Sequence, residues 1–273
     1  MDGLMLSDPA AADLLDLLLS QRTAWSILIL AAASFIQATV GFAAALFGLP
    51  LLIWAGNDLM TAQVLIITAM LPQNLFAVWR LRHSITPREV AVPIALRLAF
   101  LPIGIIGMGW VLTWPQYRIQ QLVGAIILFA VILQGFVGIE WKSARRWYWM
   151  LVVFGGSGIL QGLTGMSGPP MVLWVHGQRY PVDRVRAFLF TVYIANFPPQ
   201  IALLAWRYGS AVWLAMLVAL LAVPGVIAAA MLGLRFGTWL GDQRVRPLSY
   251  LGLIALALYS LLGPVVRQWL GFS

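Results

Sequence analysis

Thr164-Gly165-Met166-Ser167-Gly168-Pro169-Pro170 breaks into a long apolar stretch with two hydroxyls, two glycines and two prolines. Glycines let backbone N–H groups approach a ligand, and proline suits the first turn of a new helix. The start of such a helix carries free donors and a positive partial charge, which favours an anion. A second interruption, Thr39-Val40-Gly41-Phe42, offers the same feature in a less polar form. Candidate substrate contacts are Thr39 and Gly41 in one break and Thr164, Gly165, Met166, Ser167 and Gly168 in the other. Gln37 and Gln161 lie about one turn before each break and join them. Close helix packing is the alternative role for the glycines.

A second group of polar residues marks a candidate pathway. Gln73, Asn74, Asn196 and Gln200 sit beside prolines within apolar blocks. Amides at membrane depth need partners, from a neighbouring helix or from a hydrated site. Arg97 is the only arginine well inside an apolar block. Its position, about two helical turns from the start of that block, fits either snorkelling to the interface or attracting anions on a cytoplasmic path.

What is missing restricts the chemistry. All nine carboxylates (Asp2, Asp8, Asp13, Asp16, Asp58, Glu89, Glu140, Asp183, Asp242) fall in termini or loops. Cation carriers and proton pumps commonly use an intramembrane carboxylate, so a cation is a poor substrate here. An intramembrane hydrolase would lack its acid and base, and nothing is placed to activate Ser167 as a nucleophile. There is no cysteine, which excludes disulfides and thiolate metal sites. His83 and His176 fall at block ends, where they make a poor metal site. No enzyme activity, cofactor or metal is expected.

The elements that must position these residues are membrane helices. Hydrophobic residues make up 62% of 273 positions and charged residues 10%, against roughly a quarter charged in soluble domains. Apolar blocks run approximately over 24–56, 62–79, 90–113, 119–139, 148–176, 187–206, 211–234 and 248–266. Six have the length of one crossing, about 20 residues. The first and fifth are longer, and each carries one of the two breaks. The basic excess of +8 sits in short loops, which points to lipid and not to nucleic acid. The acidic start of the chain is unlike a signal peptide.

The two long blocks also resemble each other. Gln37 to Gly41 has the spacing of Gln161 to Gly165, and Pro50 to Trp54 that of Pro170 to Trp174. Pro72-Gln73 with Trp79-Arg80 matches Pro199-Gln200 with Trp206-Arg207. This pattern reads as an internal duplication.

Loop charges then set the topology. If the long blocks each go in and return on the same side, one face gathers Arg80, Arg82, Arg88, Lys142, Arg145, Arg146, Arg179, Arg184, Arg186, Arg235, Arg244 and Arg246. The other keeps Arg22, Arg118, Arg207 and Arg267, whereas eight simple crossings leave no bias. Cytoplasmic loops carry the excess of Lys and Arg, so both termini are expected outside. The expected fold is an all-α membrane protein built as an inverted-topology repeat. Each half is a broken or re-entrant helix pair followed by three transmembrane helices. Residues 1–23 form a periplasmic segment, 24–140 the first repeat and 141–273 the second.

Gly41-Phe-Ala-Ala-Ala-Leu-Phe-Gly-Leu-Pro50 and Gly162-Leu-Thr-Gly-Met-Ser-Gly-Pro-Pro170 resemble the paired signature segments of the TauE/SafE sulfite-exporter family. That resemblance covers nearly the whole chain. It implies export of small anions, such as sulfite, sulfoacetate or other organosulfur compounds, across a bacterial inner membrane. A passive anion channel and a non-transporting scaffold or accessory subunit stay open as alternatives, and the oligomeric state is not legible.

Overall fold

The structure, a computed structural model, describes residues 20–40, 43–135, 147–178, 180–240 and 242–269, and every regular element among them is helical. The first long block forms α1 (Gln21–Val40) and α2 (Ala44–Trp54). The chain continues with α3 (Leu59–Ala69), α4 (Leu71–Leu81), α5 (Pro87–Val111) and α6 (Gln116–Gly135). The fifth block begins with α7 (Trp147–Met150), passes through a π-turn (Leu151–Gly155) into α8 (Gly156–Thr164), and resumes after its break as α9 (Gly168–Gly177). Then follow α10 (Val182–Tyr208), α11 (Ser210–Leu240) and α12 (Asp242–Trp269). Among the described residues six helical stretches are long and apolar enough to cross a membrane: α1, α3 with α4, α5, most of α6, α10 and α11.

Both long blocks double back. Gly48 on α2 lies against Ala33 on α1, and beyond α2 the Asn57 amide donates to Ser26 Oγ at 3.0 Å. Arg22 Nε closes the same end by donating to Asn57 Oδ1 at 3.2 Å. Asp58 starts α3 as an N-cap, accepting from the Thr61 N–H at 2.9 Å, which satisfies one of the helix's free donors. In the second hairpin Trp174 on α9 returns to Phe154 in the π-turn, with ring centroids 5.0 Å apart.

Small residues interlock the hairpins with the long helices. A side chain on Gly158 or Gly162 would run into the backbone of α5 around Arg97 and Leu101, and one on Gly233 of α11 would strike the Phe35 carbonyl of α1. Without a hydrophobic drive between helices in lipid, such close approach gives the contact its van der Waals energy. The prolines inside α2, α5, α10 and α11 do not end those helices, as neighbouring helices can satisfy the freed carbonyls. Pro72 behaves differently: the second block is divided at Met70, where α4 starts with the proline in its first turn, yet the two parts together remain the one membrane-length stretch expected.

Trp25, Trp79, Trp110, Trp147, Trp206, Trp213 and Trp239 are exposed, each at or within about one turn of a helix end, where tryptophans of aromatic belts are commonly found. Glu89 and Arg184 join the starts of α5 and α10 at 2.8 Å, each partly exposed. An ion pair so placed adds at most about 1 kcal/mol.

Candidate functional site

The residues after the first break and those of the second together line one cavity of about 80 Å³, in a measure where one water takes about 10–15 Å³. It has room for a few waters or a small polyatomic anion. Ala43, Ala44, Ala45 and Leu46 of the first hairpin line it, as do Gly165, Met166, Ser167 and Gly168 of the second. Gln37, Asn74, Arg97, Gln161, Tyr193 and Gln200 supply further polar wall, and Ile66, Met70 and Phe197 apolar wall.

Arg97 dominates the site. It is 0% exposed, so it does not snorkel; the α8 glycines bring α8 against α5 at this level and enclose it. One guanidinium nitrogen donates to Ser157 Oγ at 3.1 Å and lies against the Met171 sulfur. The other donates to Ser167 Oγ at 3.0 Å and Gln161 Oε1 at 3.3 Å. Its carbon stands 5.9 Å from the centroid of Tyr193, within reach of a cation–π contact. Nε has no partner. Every group around this cation is neutral, and a charge buried without a counter-charge is costly unless a ligand supplies one.

The break itself is built from local bonds. Gly165 takes φ +76, and its N–H closes α8 on the Gln161 carbonyl at 2.9 Å. Ser157 Oγ donates to the Ser167 carbonyl at 2.9 Å, and Ser167 Oγ donates to Gln161 Oε1. Gln63 of α3 reaches the same turn and donates its amide to the Gln161 carbonyl. Two of the four free N–H positions at the start of α9 are occupied by Pro169 and Pro170, which have no N–H to give.

The first hairpin has the opposite endowment. The first bond within α2 runs from Phe47 N to the Ala43 carbonyl at 3.1 Å. The four N–H groups from Ala43 to Leu46 therefore have no intrahelical partner, and all four residues line the cavity. Ala43 adopts φ +93 to make this turn, a conformation that costs a non-glycine residue about 1–2 kcal/mol. One wall supplies a guanidinium and the other a cluster of amides.

The sequence candidates separate accordingly. Gln37, Gln161, Gly165, Met166, Ser167 and Gly168 lie on the cavity wall, together with Asn74, Arg97 and Gln200 from the pathway group. Gln37 donates to Asn74 Oδ1 at 2.9 Å, and Gln161 donates to Gln200 Oε1 at 2.9 Å. Thr39 is elsewhere: its hydroxyl is held by the Phe35 carbonyl at 2.8 Å and the Gly233 carbonyl at 3.1 Å, where α1 packs on α11. Thr164 bonds back to the Leu160 carbonyl at 3.1 Å and receives the Met166 N–H at 3.4 Å, so it shapes the turn without lining the cavity. Gln73 is taken up by Ser34 at 2.7 Å, and Asn196 by its own helix at the Val192 carbonyl. Gly41 lies outside the described residues. Sequence reasoning missed Tyr193, Ser157, Gln63 and the free amides of Ala44 to Leu46; the π-turn ahead of Ser157 left no compositional signal.

Broken helices meeting at a polar cavity inside a bundle of membrane-length helices are the build of a secondary transporter. The chain belongs to the TauE/SafE sulfite exporter family, whose model matches residues 26–260. It is 26% identical over 192 residues to a Cupriavidus necator protein described as a probable sulfite/organosulfonate exporter TauE, covering 70% of this chain and 73% of that one. No solved structure matches the chain.

Proposed function

We propose that this transporter exports a small anion, sulfite or an organosulfonate, across the bacterial inner membrane, binding it between the two hairpin tips. The observation that carries this reading is Arg97, fully buried on the cavity wall with only neutral partners. An anion there meets the guanidinium and Ser167 on one side and the free amides of Ala43 to Leu46 on the other. Each charged hydrogen bond contributes about 1.5–3 kcal/mol. The relative's description as an exporter of sulfite and organosulfonates agrees with that chemistry.

The reading includes an inverted repeat of 24–140 and 141–273, preceded by a periplasmic segment over 1–23. Reciprocal packing supports it. The Ser34 hydroxyl bonds the Val226 carbonyl at 2.8 Å and Gly233 meets Phe35, so α1 runs parallel to α11. Gly158 meets Arg97 and Gly162 meets Leu101, so α8 runs parallel to α5. Each broken helix thus packs on a long helix of the other half, and the amide pairs Gln37–Asn74 and Gln161–Gln200 lie within one residue of corresponding places, Gln200 matching Gln73 in the sequence.

Vesicles containing the purified protein test the assignment by comparing radiolabelled sulfite, sulfoacetate and an alkylammonium. The anions are expected to move and the cation not. Gly168→Leu should abolish that movement while leaving the protein inserted, because even a Cβ there comes within 3.0 Å of the Tyr193 hydroxyl at the cavity wall. A cation moving faster than either anion, or normal transport by the leucine variant, overturns the reading.

A further inference from the structure

Resting on that anion-site reading, we infer that the protein is an obligate exchanger: its site crosses readily only when loaded with a monoanion, so one anion leaves as another enters. The inference comes from counting charge at the cavity. Among the described residues Arg97 is the one charged side chain on the wall, and an arginine keeps its proton at neutral pH. Its partners are two serines, a glutamine, a thioether and a tyrosine ring, none of which offsets the charge. The position corresponding to Arg97 in the second repeat falls near Ala219, buried and apolar, so there is one cation and not a symmetric pair. The protein part of the site therefore carries a net charge of +1, and a bound monoanion brings it to zero.

Alternating access makes that sum consequential. To change sides the site must be closed from both aqueous faces at once. A closed, unloaded site holds a guanidinium with neutral partners and no counter-charge away from water, and the amides of Ala43 to Leu46 at the positive end of α2 add to the unfavourable potential. A closed, loaded site holds a neutral pair whose remaining donors are satisfied. The step back without cargo is therefore the slow one, and it alone moves charge through the membrane field. Exchange has two loaded steps and moves none. Among the described residues the wall carries no carboxylate or histidine to take up a proton in place of the anion.

The test loads vesicles with labelled sulfite at a mildly acidic pH, where it is mainly the monoanion hydrogensulfite, and follows efflux into the same buffer with and without external unlabelled sulfite, at potentials set by potassium and valinomycin. Exchange is expected to exceed net efflux by about tenfold or more, since the unloaded step pays the desolvation of a buried charge. Net efflux should respond to voltage while exchange does not. Arg97→Lys keeps the charge and should keep the preference. Arg97→Gln, though slower, should bring the two rates to within about twofold, because the unloaded site is then neutral. Equal rates in the wild type, or a glutamine variant with the wild-type ratio, overturn the inference while leaving anion transport standing. If the glutamine variant moves nothing, the wild-type voltage dependence decides: voltage-sensitive exchange overturns it. Absence of sulfite flux in both modes removes the transport assignment together with this one.

Discussion

Arg97 and Ala43 both line the cavity and are both held against their own preference, one by burial and one by backbone conformation. Ala43→Gly is expected to raise stability by about 1 kcal/mol, since glycine adopts φ near +90 without the steric cost. Thermal unfolding in detergent reads the change; a lower midpoint contradicts the assigned turn. Ser167→Ala removes the hydroxyl that Arg97 donates to and that bonds Gln161. It should weaken sulfite binding by about 1–2 kcal/mol, measured as loss of ligand protection in the same unfolding assay; unchanged protection removes Ser167 from the site. At this scale the sequence was only partly legible. Spacing alone placed Gln161, Ser167 and Gly168 near one another. It could not place Arg97, because whether an arginine two turns inside a helix snorkels or turns inward depends on which neighbour packs at that level. Thr39 failed for a related reason: its position in the chain is right, but its hydroxyl is on the side of α1 that meets α11.

The elements around the site are held by glycine contacts of unequal weight, and substitution separates them. Gly162 touches the α5 backbone at Leu101 and Ile105, whereas Gly156, one turn and a half earlier on the same helix, has open space around it. Gly162→Val should force α8 away from α5 at a cost of about 1–3 kcal/mol or more, and loosen the serines from Arg97. Gly156→Ala is expected to be neutral or to stabilise by up to about 1 kcal/mol, as a helical position freed of glycine's entropy. Unfolding midpoints of the two variants compare them directly, and equal destabilisation would show that the α5–α8 contact is not the constraint. Glycine content by itself cannot tell these roles apart: Gly162 serves packing, as any small residue in a membrane bundle does, while Gly165 serves the turn through its positive φ. The breaks were legible because each falls in a block too long for one crossing, and in the second, glycine, proline and hydroxyl residues cluster together. The interruption at Met70 was not, since Pro72 resembles the tolerated prolines of α5 and α11.

For the whole molecule, block length and arginine placement carry most of the information, and both concern topology. An apolar block longer than 28 residues cannot be one straight crossing of about 30 Å without large tilt, and both such blocks fold back on themselves. The doubled-back hairpins bring Arg22, Asn57 and the Gln116–Ile53 bond (3.0 Å) to one end. The Glu89–Arg184 pair and the neighbouring Arg80, Arg82, Arg88 and Arg186 gather at the other end. Positive loops stay in the cytoplasm because they resist translocation. The end with Arg184 is therefore expected to be cytoplasmic, and both chain termini periplasmic. The chain has no cysteine, so single introduced cysteines report without background. A cysteine at Ser273 should react with an impermeant maleimide on intact cells stripped of their outer membrane. One at Ser84 should react only after the inner membrane is opened. The same labelling at the exposed Asp58, next to Asn57, should follow the Ser273 pattern if the first hairpin returns to its starting side. Ser273 labelled only after opening would invert or break the repeat, and Asp58 with Ser84 behaviour would make the first block a simple crossing.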